Sequence, residues 1–282
     1  MKFKRIYLEI TNVCNLQCSF CHGTAREPRF LSPAEFDLLA GKLEGAAGYL
    51  YFHLMGEPLL HPELGELLAL AGQHGFRINL TTNGVLLPDA APVLLAAPAL
   101  HRVNLSLQAW EANTGMGRLC DYVNRCADFA RSAAARGILV SLRLWNGGGA
   151  NAKNGEILAL LHNAFPGEWK TAQHNTVLTD RVFLEFGEKF DWPDVQAEET
   201  GAVFCHGLRD HIGVLCDGTV VPCCLDGNGN IPLGNLLTQD LTDILSTPRA
   251  KAMVDGFSRR QPTEELCKKC GYAARFTRNA EC

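Results

Sequence analysis

The chain predicts an α/β protein built on a parallel sheet, and three observations carry that expectation. Strand-like apolar runs alternate with helix-like amphipathic runs six times, at roughly 30-residue intervals. Polar and glycine-bearing segments follow the strand-like runs, at the carboxyl ends where α/β sheets hold ligands. An apolar content of 47% over 282 residues supplies a real core, in one large domain or in a barrel of about 200 residues plus a smaller unit. Right-handed crossovers allow an open doubly wound sheet or a partial barrel, and the residues alone leave both open.

Phe3 to Ile10 reads as the first strand. Ser32-Pro33-Ala34-Glu35 opens a helix to about Gly45, with serine as cap, proline at the first helical position and acid in the first turn. Tyr49 to Leu54 is the second strand and ends in Met55-Gly56-Glu57-Pro58. Pro62 opens a helix with Leu64, Leu67, Leu68 and Ala71 on one face, closed near Gly75. Phe76 to Leu80 is the third strand, ending in Thr81-Thr82-Asn83-Gly84, and a short helix fills 88–97. His101 to Leu107 is the fourth strand, with Ser106 and Gln108 at its end, and a long helix over about 118–136 stops at Gly137. Ile138 to Leu144 is the fifth strand and carries Arg143. A helix follows over about 153–164, and Val182 to Phe186 is the sixth strand.

Composition narrows the function. A net charge of −4 offers no basic field to nucleic acid or an anionic membrane. The longest apolar runs, such as Val93 to Leu100 interrupted by Pro98, fall short of the roughly 18 residues a membrane span needs. The basic start Met1-Lys2-Phe3-Lys4-Arg5 leads into a strand holding Glu9 and not into a signal-peptide core. A soluble cytoplasmic protein is expected. Twelve cysteines in such a chain argue for metal binding over disulfides.

Two thiol sets stand out. Cys14, Cys18 and Cys21 lie at i, i+4 and i+7 after the first strand. That spacing also fits one face of a helix, but Asn12, Asn15, Gln17 and Pro28 around it read as loop. Thiolates are soft ligands suited to zinc or iron–sulfur clusters. Structural zinc asks for four ligands, whereas three thiolates on a cluster leave one iron open for chemistry. The second set is carboxyl-terminal, in a region (205–282) holding seven of the twelve cysteines. Asp217-Gly218 between Cys216 and Thr219-Val220-Val221 signals a hairpin. It presents Cys223, with Cys205 on the preceding strand, and Cys267-Lys268-Lys269-Cys270 completes four thiols that saturate either zinc or a cubane. Composition shifts after about residue 187, and a domain boundary at 195–204 divides the chain into 1–200 and 201–282.

CxxxCx(aromatic)C, with Phe20 as the aromatic, resembles the signature of the radical S-adenosylmethionine (SAM) superfamily. The resemblance implies a partial (β/α)6 TIM-like barrel and a [4Fe-4S] cluster held by Cys14, Cys18 and Cys21, whose fourth iron SAM chelates. Gly56-Glu57-Pro58 resembles the family's GEP element, whose backbone meets the SAM amino group; on its own it is also an ordinary turn. Asn83, Ser106, Gln108 and Arg143 are placed for the SAM ribose and carboxylate, and Phe20 for the adenine. The alternative for Arg143 is an ion pair inside the barrel, and the facing of Glu185 stays open.

The carboxyl-terminal segment resembles the SPASM/Twitch domain. The full SPASM pattern adds cysteines after the CxxC, and 271–280 holds none. A Twitch-like form, β-hairpin plus helix, is therefore expected, with one auxiliary [4Fe-4S] cluster on Cys205, Cys223, Cys267 and Cys270. Cys216, Cys224 and Cys282 are left over, and Cys223 and Cys224 are interchangeable at this stage. Cys120 and Cys126 read as packing residues, and His22, His53 and His61 as ordinary surface or core histidines. Trp145, Phe190 and Trp192 are core or pocket aromatics.

The implied activity is radical SAM oxidoreduction of a small molecule or a peptide, with the auxiliary cluster as electron acceptor and a flavodoxin- or ferredoxin-type reductant. No proton acceptor is identified. Thirteen residues precede Cys14, too few for the leader-binding domain of peptide-modifying relatives. Length and one auxiliary cluster resemble the family's small aminocyclitol dehydrogenases. A maturase or activase working on a partner protein is the alternative, and a zinc-binding adaptor the rival from outside enzymology.

Overall fold

The computed structural model describes residues 2–172, 175–201 and 204–277, and its strands join one 11-stranded sheet. Five βα units open the chain. Their strands are β1 (Arg5–Leu8), β2 (Tyr49–Phe52), β3 (Arg77–Thr82), β4 (Leu100–Ser106) and β5 (Leu139–Gly147). Their helices are α1 (Pro33–Leu43), α2 (Leu64–Gln73), α3 (Leu87–Ala96), α4 (Leu119–Ala134) and α5 (Asn154–Ala164). Next come β6 (Lys170–Thr171), β7 (Thr176–Thr179) and β8 (Val182–Glu188), then β9 (His211–Val214), β10 (Thr219–Val221) and β11 (Gly234–Asn235). Short helices α6 (Leu241–Ser246), α7 (Pro248–Ser258), α8 (Glu265–Lys268) and α9 (Ala274–Thr277) close the described chain.

The sheet order is β11-β10-β9-β1-β2-β3-β4-β5-β8-β7-β6, and the run from β9 to β8 is parallel. The six strands read from the sequence form a contiguous parallel block, as the alternation implies. Strands alternate in the way a curved sheet with a lined interior requires. Ile6, Leu8, Leu50, Phe52, Leu80 and Val103 are buried under the helices. Tyr7, Tyr51, Thr81, Asn104 and Arg143 face the opposite side, into a shared cavity.

Local chemistry sets the helix starts. Ser32 Oγ accepts from Glu35 N at 3.3 Å, and Ser32 N donates to Glu35 Oε2 at 3.0 Å, a full capping box with Pro33 at the first position. Such a cap is worth about 1 kcal/mol.

Two features differ from the sequence expectation. A hairpin, β6–β7, is inserted before the sixth parallel strand. Cys205 is not on a strand: the chain turns at Gly207–Asp210, with Leu208 at φ 58, before β9 begins. The β9–β10 hairpin forms as Asp217-Gly218 demands. Thr219 N donates to Asp217 Oδ1 at 2.9 Å and Gly218 takes φ +83. A Cβ on Gly218 would stand 2.6 Å from Leu237 Cγ. This hairpin joins the barrel sheet because β9 pairs parallel with β1, Arg5 opposite His211. No helix is long and apolar enough to cross a membrane among the described residues.

Candidate functional site: two cavities between two thiol sets

Cys14, Cys18 and Cys21 sit in the loop after β1 and line an outer cavity of about 470 Å³. They form no disulfide, and each is exposed or half-buried. Asn113 Nδ2 donates to Cys18 Sγ at 3.1 Å and Gly23 N to Cys21 Sγ at 3.4 Å. Such N–H donors stabilise thiolate charge and tune a bound cluster. Burial, against the help of a backbone N–H, pushes the Cys14 thiol up, and Glu57, Cys18 and Cys21 nearby add to it. Burial likewise raises the Cys18 thiol, and a cationic centre at the thiols would reverse both shifts.

Gly56, Glu57 and Asn83 line the same cavity, while Pro58 is buried as the start of a short 3-10 turn. Gly56 takes φ +77, and a Cβ there would lie 2.4 Å from Thr11 O and 2.9 Å from Val13 O. Glycine is thus required because the turn packs against the backbone of the cysteine loop. Glu57 clamps three segments. Its N–H donates to Val13 O at 2.8 Å, its Oε1 accepts from Leu59 N at 3.0 Å, and its Oε2 accepts from Asn83 N at 2.8 Å. Asn83 Nδ2 then donates to Asn15 Oδ1 at 2.8 Å.

Burial outweighs those donors and pushes the Glu57 carboxyl up to about 7. A raised carboxyl holds its proton more tightly folded than unfolded, so stability is greatest below the unfolded value near 4.5 and declines as pH rises through about 7. The shift corresponds to about 3 kcal/mol. Glu57→Gln should therefore flatten the fall in melting temperature between pH 5 and pH 8. An unchanged slope in the variant would assign the dependence to another group.

An inner cavity of about 230 Å³ adjoins the outer one: Phe20, His53, Thr81, Ser106 and Trp192 line both. Gln108 and Arg143 line only the inner one, and Ser106 stands between. Phe20 O accepts from Trp192 Nε1 at 2.8 Å. Arg143 Nε donates to Glu185 Oε2 at 3.1 Å, so the ion-pair alternative describes its present partner, and Glu185 lies on the inner side of the sheet. The Arg143 guanidinium also stacks 4.5 Å from the Trp145 ring centroid. His53, read from sequence as ordinary, proves to lie at the junction of the cavities; burial first, then the Arg143 charge, lower it to about 4. No sequence signal separates it from His22 or His61.

At the far end stand Cys205, Cys223, Cys267 and Cys270, lining a small cavity walled by Pro222, Ile231, Phe257 and Leu266. Cys205 precedes β9 and Cys223 follows β10, so the antiparallel hairpin returns both to one end. Burial, then Cys224, Cys205, Cys267 and Cys270, push the Cys223 thiol well up. Unbridged thiols gathered in an apolar cavity fit a metal cluster. Among the described residues neither thiol set brings three Cys, His, Asp or Glu side chains close enough to hold one metal ion. Cys224 lines the inner cavity beside Tyr7 and Tyr272 and a further cavity with Cys205, Cys223 and Cys270, so its interchange with Cys223 stays open. Cys216 is buried and accepts from Arg26 Nη1 at 3.7 Å, and Cys126 is a core residue. Cys282 lies outside the described residues.

The pattern of the Radical SAM superfamily matches residues 8–161. The chain belongs to the radical SAM superfamily. That of the SPASM iron-sulfur cluster-binding domain matches residues 205–271. Membership implies a SAM-binding [4Fe-4S] cluster and SAM, and the SPASM match implies auxiliary iron–sulfur.

Curated relatives include a Probable GTP 3',8-cyclase of Methanocaldococcus jannaschii, 35% identical over 38% of this chain and 37% of that one. Another is the Tungsten-containing aldehyde ferredoxin oxidoreductase cofactor-modifying protein of Pyrococcus furiosus, 34% identical over 37% of this chain and 30% of its own length. The matches thus span about a third of those relatives. Solved structures share the fold. BtrN in complex with AdoMet and 2-DOIA is 17% identical, with TM-score 0.59 over 96% of this chain and 94% of that one. The anSMEcpe enzyme with bound AdoMet is 15% identical, with TM-score 0.64 over 97% and 91%. Likeness at that identity establishes the partial TIM barrel and no more.

Proposed function

We propose that this radical SAM enzyme oxidises a small molecule or peptide side chain bound in the inner cavity, with residues 201–282 acting as its auxiliary-cluster domain. The observation that carries the proposal is the order of the parts. The inner cavity shares Phe20, His53 and Ser106 with the outer one and ends at Cys224, next in the chain to Cys223. A substrate there would lie between the two thiol sets.

Cys14, Cys18 and Cys21 would hold the SAM-binding cluster, and Cys205, Cys223, Cys267 and Cys270 the auxiliary one. When bound, these groups supply a 5′-deoxyadenosyl radical that takes a substrate hydrogen atom and an electron sink that completes a two-electron oxidation. The chain's own residues position and shield. Gly56 and Glu57 lock the turn beside the cysteine loop, and Trp192 bonds to Phe20 and packs on His22 at 4.3 Å between ring centroids. That cover limits water at the junction. Four thiolates saturate the auxiliary cluster, which leaves it electron transfer and not substrate ligation. A flavodoxin- or ferredoxin-type carrier is the expected electron donor.

Anaerobically purified protein should be brown, with broad absorbance near 400 nm and about eight irons per chain. Cys267→Ala with Cys270→Ala should spare part of the SAM cleavage and stop product formation. Normal turnover by that variant would overturn the electron-acceptor role. Colourless protein with stoichiometric zinc would overturn the radical reading itself.

A further inference from the structure

The inner cavity has a one-sided electrostatic character that its place in the barrel does not require. Three cations line it: Arg5, Arg143 and Lys189. No Asp or Glu appears among the described residues lining it. Arg143 is partly neutralised by Glu185, but Arg5, at the amino end of β1, and Lys189, past the carboxyl end of β8, are exposed at opposite ends of the cavity, and Arg5 leans on Tyr7 and Tyr51.

Two acceptors lining the cavity have no partner. Asn104 and Gln108 are buried, 1% and 7% exposed, and their side-chain carbonyl oxygens accept no hydrogen bond. The other end of the Asn104 amide donates to Thr81 Oγ1 at 3.2 Å, so the group is held in place and half satisfied. A buried unpaired acceptor costs about 1–3 kcal/mol, which a ligand O–H or N–H would recover. Size limits the ligand further. Pockets for drug-sized molecules run from about 300 to 1,000 Å³, so a cavity of about 230 Å³ takes one small ring or chain.

We infer that the substrate portion seated in this cavity is an anion, a carboxylate bearing O–H or N–H groups, and not an amine cation. The charge meets Arg5 at one end of the cavity or Lys189 at the other, while the donors reach Asn104 and Gln108. The inference rests on reading the outer cavity as the SAM site. The same chemistry is offered by a free hydroxy or amino acid and by an acidic side chain of a peptide, and two experimental arms separate them.

Reconstituted, SAM-loaded holoenzyme is titrated calorimetrically with glucuronate, glucose and glucosamine, six-carbon pyranose probes of charge −1, 0 and +1. The second arm uses acetyl-Gly-Glu-Gly-amide against acetyl-Gly-Lys-Gly-amide. In at least one arm the anion should bind about tenfold or more tighter than its neutral or cationic counterpart, a typical gain for desolvated charge complementarity. Preference in the first arm identifies a free acid, and in the second a peptide. The double variant Arg5→Gln/Lys189→Gln should lose that preference, its iron content and visible absorbance serving as the check on folding. Equal or reversed preference in both arms, absence of binding in both, or an unchanged preference in the variant overturns the inference. SAM binding is measured separately in the same samples. Its failure would strike the reading of the outer cavity, whereas loss of charge preference with SAM bound strikes this inference alone.

Discussion

Replacing Cys14, Cys18 and Cys21 together by alanine should remove about half of the iron and abolish 5′-deoxyadenosine formation. The three thiols contribute little to the fold: none is in the hydrophobic core, and none bridges another cysteine. The loop that carries them is held by other groups. Gln17 N donates to Asn113 Oδ1 at 3.0 Å, Phe20 O accepts from Trp192, and Asn12 Nδ2 donates to Glu27 O at 2.8 Å. The variant should therefore fold with the outer cavity formed but without soft ligands. The four carboxyl-terminal thiols lie in a separate cavity and should keep about four irons. Iron and sulfide assays on anoxic protein, with chromatography of reaction mixtures containing SAM and dithionite, check both halves. Full iron content, or 5′-deoxyadenosine at the native level, would show that SAM is cleaved elsewhere.

What the sequence made legible is what is local. Period-two runs and the Ser32-Pro33-Ala34-Glu35 box specify strand and cap through neighbours a few residues apart. Six parallel strands follow from repetition of that signal. Pairing across long loops has no such signal. β9 sits beside β1 because their backbones pair some 200 residues apart, and a four-residue apolar strand does not announce its partner. Arg143 illustrates the same limit. Its type and strand-end position suit a carboxylate, but that this carboxylate is Glu185 depends on β8 lying beside β5 after an inserted hairpin. Gly56 was visible as a site residue, and the fold adds a second requirement for glycine there. A side chain there would meet Thr11 to Val13 of the same chain, while its backbone borders the outer cavity. His53, Asn104 and Cys224 were not visible as a group at all. His53 and Asn104 are unremarkable by type and spacing, Cys224 stood out only as a neighbour of Cys223, and the curvature of the sheet brings the three around one cavity.

Glu9→Gln should cost about 3–5 kcal/mol, the usual penalty for leaving a buried charge without its partner. Glu9 is 1% exposed at the carboxyl end of β1. Burial raises its carboxyl, and Arg26 opposes that rise through bonds of 2.6 and 2.8 Å to the two oxygens. Met55 N and Cys216 N each donate to it at 3.2 Å. One carboxylate thus joins the loop that follows the amino-terminal cysteines, the turn before Gly56 and the hairpin that leads to Cys223. Arg26 extends the tie by donating from Nε to Gly227 O at 2.9 Å. A carboxamide keeps the shape but loses the charge and sets an NH₂ group against existing donors. At about 2–4 °C per kcal/mol for chains near this size, the melting temperature should drop by about 6–20 °C, and iron retention at both thiol sets should fall together. The exposed pair Arg249–Glu264 provides the comparison, since Arg249→Gln should cost no more than about 1 kcal/mol. Glu9→Gln with Arg26→Met should recover part of the loss, because removing both charges leaves neither stranded. A Glu9→Gln protein that melts within about 2 °C of the native one would show that the two thiol sets are tied by the shared sheet alone.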